Sequence, residues 1–119
     1  RIILLKKGDT MIFQLGSALL DACVLAILHK EDTYGYKLTQ EVKEIVNVSE
    51  STLYPVLRRL TKDGYLCTYD KEYMGRNRRY YQLTEDGKMK YEEYVIEWDD
   101  FSTKIDGILQ GGKDDGENG

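Results

Sequence analysis

The stretch from residue 49 to residue 83 constrains the fold most, because its first half is patterned as a helix and its second as a hairpin. In SESTLYPVLRRLTKDGYL, the residues Leu53, Val56, Leu57 and Leu60 are spaced to stack along one helical face. Ser49 or Ser51 can cap this helix, its hydroxyl accepting a backbone N–H that the first turn leaves free. At about 100° per residue, Ser51, Tyr54, Pro55, Arg58 and Lys62 fall on the opposite side. That face is polar, aromatic and basic, and has no acid. Pro55 favours a regular start nearer Ser51 or Thr52, since first-turn N–H groups lack helical partners anyway. Gly64 supplies the helix stop.

Residues 65–69 and 79–83 are rich in strand formers. Residues 70–78 lie between them, and Met74-Gly75-Arg76-Asn77 reads as the turn, with Gly75 free to take positive φ. Arg76, Arg78 and Arg79 sit at or just after the tip. A basic helix followed by a basic-tipped hairpin is the layout of a winged helix-turn-helix, whose helix enters the major groove of double-stranded DNA while the wing grips the backbone. The competing reading is that Arg and Lys simply solvate an outward face.

The flanking segments complete an α+β architecture, mainly helical with one small hairpin. A first helix is predicted over residues 15–29; Leu19, Leu20, Cys23, Val24, Leu25, Ile27 and Leu28 leave it almost no polar face. One small domain cannot cover such a helix, so a homodimer is expected, with Leu19 and Cys23 in the interface. Thr33 is placed as the cap of a second helix over residues 34–46, with an apolar stripe of Leu38, Val42, Ile45 and Val46. Gly35, between Tyr34 and Tyr36, implies close approach by another surface, protein or phosphate; the two tyrosines are either core packing or phosphate contacts. Downstream, Thr84 caps a last helix reaching residue 109. In it Tyr91, Tyr94, Trp98, Phe101, Ile105 and Ile108 recur at steps of three and four, a heptad seam that calls for another helix. The expected division is an N-terminal extension (1–14), the winged domain (15–83), a dimerisation helix (84–110) and a disordered tail (111–119), with Met11 a candidate natural start.

Charge supports this division. The chain is acidic overall, at −4, yet residues 49–83 hold 7 basic and 4 acidic side chains, while residues 84–119 hold 4 and 11. The basic surplus sits where a DNA reader needs it. The longest apolar run, residues 18–28, contains Asp21 and is too short to span a membrane. Cys23 and Cys67 are expected to be buried free thiols in a cytoplasmic protein, and with the single His29, expected at a helix end, they form no metal-ligand set. No cofactor is implied. One histidine and no phosphate-cradling glycine loop argue against an enzyme.

Taken together, the segments 19–28, Tyr34-Gly35-Tyr36, Ser51-Thr52-Leu53-Tyr54-Pro55 with the following Val-Leu-Arg-Arg-Leu, Lys62-Asp63-Gly64, and Arg78-Arg79-Tyr80-Tyr81-Gln82-Leu83-Thr84 through Gly87 resemble the PadR family of bacterial transcription regulators. The resemblance covers roughly residues 15–110. It implies a winged-helix dimer on a palindromic operator, usually a repressor released by a small molecule. It maps Ser51, Thr52, Tyr54 and Arg58 to the recognition helix, and Tyr34, Tyr36, Arg76, Arg78 and Arg79 to backbone contacts; Lys62, on the same outward face as Arg58, is expected to hold a phosphate. It also places Trp98, flanked by Tyr94 and Phe101, where drug-sensing relatives stack a planar aromatic effector. Many members carry paired glycines and a proline at the wing tip; here the tip is Met74-Gly75-Arg76-Asn77. The rival from another class is a winged-helix adaptor that binds proteins and no specific DNA.

Overall fold

The structure, a computed structural model, describes residues 16–111. The expected N-terminal extension, the candidate start at Met11 and all of the tail except Gly111 lie outside the described residues. The elements run α1 (Ser17–Lys30), β1 (Thr33–Tyr34), α2 (Gly35–Ile45), α3 (Glu50–Lys62), β2 (Leu66–Tyr73), β3 (Arg76–Leu83) and α4 (Glu85–Leu109).

The core forms where the apolar stripes of the first three helices meet the base of the hairpin. Leu25, Leu38, Leu53, Leu57 and Leu60 are fully buried, with Val24, Val42, Val56, Leu66 and Leu83 around them. Each such side chain contributes about 1.5–3 kcal/mol relative to exposure. The α2 stripe is narrower than its spacing suggests. Leu38, Val42 and Val46 are buried, but Ile45, the last residue of α2, is exposed.

Three local readings are corrected. Thr33 does not cap α2; it is a buried strand residue opposite Tyr81, and Tyr34 lies opposite Tyr80. The hairpin is therefore part of a three-stranded antiparallel sheet, ordered β1-β3-β2. Two residues are too few to show a strand pattern, so the pairing with β3 defines β1. Second, α3 begins early: Ser49 is its N-cap, its hydroxyl accepting from the Thr52 N–H. Pro55 thus sits inside the helix, and the bond it cannot make belongs to the carbonyl of Ser51, an exposed residue that water can serve. Third, the wing strands are longer than expected. They pair from Leu66↔Leu83 to Tyr73↔Arg76, leaving a two-residue turn, Met74-Gly75, both at positive φ, as the type I′ hairpin requires.

The helix stop at Gly64 follows the sequence reading in detail. Gly64 takes φ +88°; its N–H reaches the Thr61 carbonyl and that of Tyr65 reaches Leu60. This pair of bonds is the Schellman motif. Glu50 clips α3 to α2, pairing with Lys43 and accepting from Gln40. Thr84 caps α4 through the Gly87 N–H. A Cβ at Gly87 would run into the Tyr65 carbonyl oxygen and the Leu83 side chain, so this glycine lets α4 start directly against the base of the wing.

Candidate nucleic-acid interface

Three structural pieces converge at one end of the domain: the exposed face of α3, the first turn of α2 and the outer half of the wing. Capping sets the first. The Ser49 hydroxyl lies 2.9 Å from that of Ser51 and 3.1 Å from that of Thr52, which places all three at the entrance to α3. Arg58 and Lys62 follow along its exposed face. Tyr54 turns inward enough to pack on the core edge.

Beside α3 runs an open groove of about 750 Å³, lined by Tyr34, Gly35, Tyr36, Tyr54, Tyr73, Met74, Arg76, Asn77, Arg78, Arg79 and Tyr81. Its position follows from the sheet. β1 pairs only with Tyr80 and Tyr81, so among the described residues no strand lies on that side of residues 76–79. Of the residues expected to meet DNA, the groove gathers Tyr34, Tyr36, Tyr54, Arg76, Arg78 and Arg79. Ser51, Thr52, Arg58 and Lys62 are not in its lining; they occupy the adjoining face of α3. Protein side chains lie against Gly35 at ordinary contact distance. A Cβ there would meet the rings of Tyr81 at 3.5 Å and Tyr54 at 3.8 Å.

The cations divide by pairing. Arg79 and Asp70, opposite each other in the ladder, approach to 3.4 Å. Arg59 binds Asp21 at 2.6 Å. Arg58, Lys62, Lys71, Arg76 and Arg78 are in no ion pair among the described residues. Period-two alternation sends Arg76 and Arg78 to one face of the wing and Arg79 to the other. Arg78 is half-buried, its guanidinium carbon 3.9 Å from the ring centres of both Tyr34 and Tyr73.

A second concave site lies between α1 and α4. It encloses about 550 Å³ and is lined by Gly16, Ala18, Leu19, Ala22, Cys23, Ala26, Tyr91, Tyr94, Val95, Glu97, Trp98 and Phe101. The residues expected in the effector site, Trp98, Tyr94 and Phe101, do come together here, with Trp98 and Phe101 tilted at 6.1 Å between ring centres. Along the heptad seam Tyr91 and Tyr94 pack on the core. Trp98 and Phe101 are half exposed and Ile108 is 74% exposed; Ile105 is intermediate. His29 lies in the last turn of α1, stacked on Tyr91 at 4.2 Å. The expected burial of both thiols holds for neither fully: Cys23 is half-buried, and Cys67 is exposed on the wing, its thiol 3.5 Å from Gln82 Oε1. Burial pushes the Cys23 thiol above its usual range.

Sequence reasoning gave no role to Arg59, Asp21 or Tyr73. Asp21 is buried on α1 and accepts from Arg59 of α3; the Tyr94 hydroxyl of α4 donates to its other oxygen at 3.5 Å. Burial first, and then the Asp21 charge, hold the Tyr94 hydroxyl above the usual phenol range, so it stays a donor. The signal available in the sequence was an aspartate inside an otherwise apolar run.

Residues 24–93 match the model of the transcriptional regulator PadR-like family. A crystal structure of a Streptococcus mutans protein superposes with a TM-score of 0.80 at 42% identity, covering 86% of this chain and 96% of that one. A transcriptional regulator of Mycobacterium tuberculosis is 40% identical over 73 residues, 58% of this chain and 68% of its own length. The negative transcriptional regulator PadR of Bacillus subtilis, crystallised with operator DNA, superposes with a TM-score of 0.59 at 26% identity, covering 66% of this chain and 47% of that one. The four helices, the three-stranded sheet and the matched sequence agree: this chain belongs to the PadR-like family of transcriptional regulators.

Proposed function

We propose that this protein binds double-stranded DNA as a homodimer and regulates transcription from a palindromic operator, as a repressor in the cytoplasm. The observation that supports this best is the sorting of cations. Among the described residues Arg58 and Lys62 of α3 and Arg76 and Arg78 of the wing have no carboxylate partner, and they line or flank one groove. Unpaired cations are available to phosphates, and each phosphate neutralised releases condensed counterions. The B. subtilis relative, crystallised with operator DNA, supports DNA as the partner. In this reading α3 lies in the major groove. Arg58 takes a base edge, Ser51, Thr52 and Tyr54 accompany it, and Tyr34, Tyr36, Lys62, Arg76, Arg78 and Arg79 follow the backbone.

Dimerisation is supported by the unpartnered lower half of α4, where Trp98, Phe101 and Ile108 stay exposed along a heptad seam. Leu19, Cys23, Tyr91, Tyr94 and Ile105 extend that surface. A small planar aromatic effector would enter the α1–α4 cavity against Trp98, Tyr94 and Phe101, and release the operator by changing the spacing of the two α3 helices, about 34 Å in the DNA-bound state. Duplexes selected from random DNA, then titrated with wild type, Arg58→Ala and Arg78→Ala across a salt series, test the DNA reading. Each substitution should weaken binding roughly tenfold, and Arg78→Ala should lower the salt slope by about one. Two variants that bind as tightly as wild type would overturn it. Sedimentation and Trp98 fluorescence against planar aromatic compounds test the dimer and the effector separately.

A further inference from the structure

Beyond Tyr80 the wing loses β1 and continues as a two-stranded ribbon. Such a ribbon has little stability of its own in water, so something must fix its angle to the domain. The ladder register points to Arg78. On one face of the sheet Arg78 is the diagonal neighbour of Tyr73 across β2, and of Tyr34 across the end of β1. Its guanidinium carbon lies 3.9 Å from each ring centre. Tyr34 belongs to the domain body, at the start of α2; Tyr73 belongs to the wing, next to the turn.

A guanidinium has all its N–H donors in its plane and binds aromatic rings through its faces. An arginine held between two rings therefore keeps its hydrogen-bonding edge free. No carboxylate occupies that edge among the described residues, and Arg78 is part of the groove wall. The two acids beside its ladder partner Lys71, Asp70 and Glu72, alternate to the opposite face, where Arg79 engages Asp70. The rings thus remove the rotamer freedom that a long side chain would otherwise lose on meeting a phosphate.

We propose that Tyr73 is a positioning residue for DNA binding: with Tyr34 it holds Arg78 as a preset fork at the groove, and it acts on the operator through Arg78. This rests on the DNA-binding reading above and names a residue that reading does not use. Exposed cation–π contacts translate into roughly a two- to fivefold change in affinity per ring removed.

A double-mutant cycle tests it. A duplex selected by the wild-type protein is titrated with wild type, Tyr73→Leu, Tyr73→Phe, Arg78→Ala and the Tyr73→Leu/Arg78→Ala double variant. Tyr73→Leu should bind two- to fivefold more weakly with the salt slope unchanged, because no phosphate contact is deleted. Tyr73→Phe keeps the ring and should recover wild-type affinity. In the Arg78→Ala background, Tyr73→Leu should cost nothing further. Equal losses in both backgrounds, or a loss in Tyr73→Phe matching that of Tyr73→Leu, would overturn the proposal, since the tyrosine would then be acting on the wing's fold or on DNA directly. A wild-type protein that selects no duplex would instead overturn the DNA-binding reading itself.

Discussion

The Asp21–Arg59 pair allows a prediction whose sign depends on which partner is removed. The carboxylate is 8% exposed and the guanidinium 43% exposed, with 2.6 Å between them. Arg59→Ala strands a buried negative charge. Uncompensated buried charges cost about 3–5 kcal/mol; the Tyr94 hydroxyl still offers one donor at 3.5 Å, so the expected cost is near ~3 kcal/mol. Asp21→Ala strands Arg59 instead, but a guanidinium with that much exposure rehydrates. What is lost is the charge-assisted hydrogen bond from Arg59, about 1.5–3 kcal/mol, together with the long one from Tyr94, whose half-buried hydroxyl turns to water, less roughly 0.5 kcal/mol regained because alanine suits the middle of α1 better than aspartate.

Arg59→Ala should therefore unfold at lower temperature than Asp21→Ala, with a gap of about 0.5–2 kcal/mol, or roughly 2–8 °C for a domain of this size. The double variant should resemble Asp21→Ala, because removing the carboxylate cancels the penalty that Arg59→Ala creates. Thermal melts followed by circular dichroism give the comparison, at one fixed protomer concentration so that any dimer equilibrium contributes equally. Equal losses in the two single variants, or additive losses in the double, would refute the claim that the buried carboxylate is the group needing compensation.

Other substitutions follow from geometry already described. Gly87→Ala should cost about 1–3 kcal/mol through overpacking against the Tyr65 carbonyl and Leu83, measured by chemical denaturation. Met74, at φ +52° in the turn, should be replaceable by Asn with a gain of roughly 0.5–1 kcal/mol, read as a higher unfolding midpoint, since Asn tolerates that region better. At pH 8, Cys67 should alkylate well before Cys23: burial raises the Cys23 thiol and so lowers its thiolate fraction, whereas Cys67 is exposed. Intact-mass analysis with peptide mapping resolves the order.

What could be read from the residues alone divides along physical lines. Periodic burial was legible. The stripe of Leu53, Val56, Leu57 and Leu60 locates α3, and the stop at Gly64 and the cap at Thr84 fall where their chemistry requires. The failures involve long-range partners. Thr33 looks like a cap because it precedes a helix; only its pairing with Tyr81, 48 positions away, makes it a strand. Pro55 argues for a late helix start if the cost of a missing bond is counted alone, but the Ser49 cap and the four buried apolar residues outweigh it. The sequence sets Arg58 apart on the outward face of α3, but it does not show the partners of Arg59, Arg78 and Arg79. Register and neighbours separate them: Arg59 turns into the protein toward Asp21, Arg79 pairs with Asp70, and Arg78 is held between tyrosines.

The same separation explains how an acidic chain can present a basic surface. Net charge treats every cation alike, but Lys37, Lys43, Lys88, Lys90 and Lys104 each lie within 4 Å of a carboxylate. In α4 those carboxylates belong to the helix itself, three or four residues away, so its cations add little field at a distance. The surplus acids of α4 are spread along 25 residues, about 37 Å of helix, while the Debye length at physiological salt is about 8 Å. A phosphate beside α3 therefore responds to Arg58, Lys62, Arg76 and Arg78, not to the molecule's total of −4. If so, reversing the surplus on the distal half of α4 would change pI strongly and operator affinity weakly, whereas a single reversal at Arg58 would do the opposite.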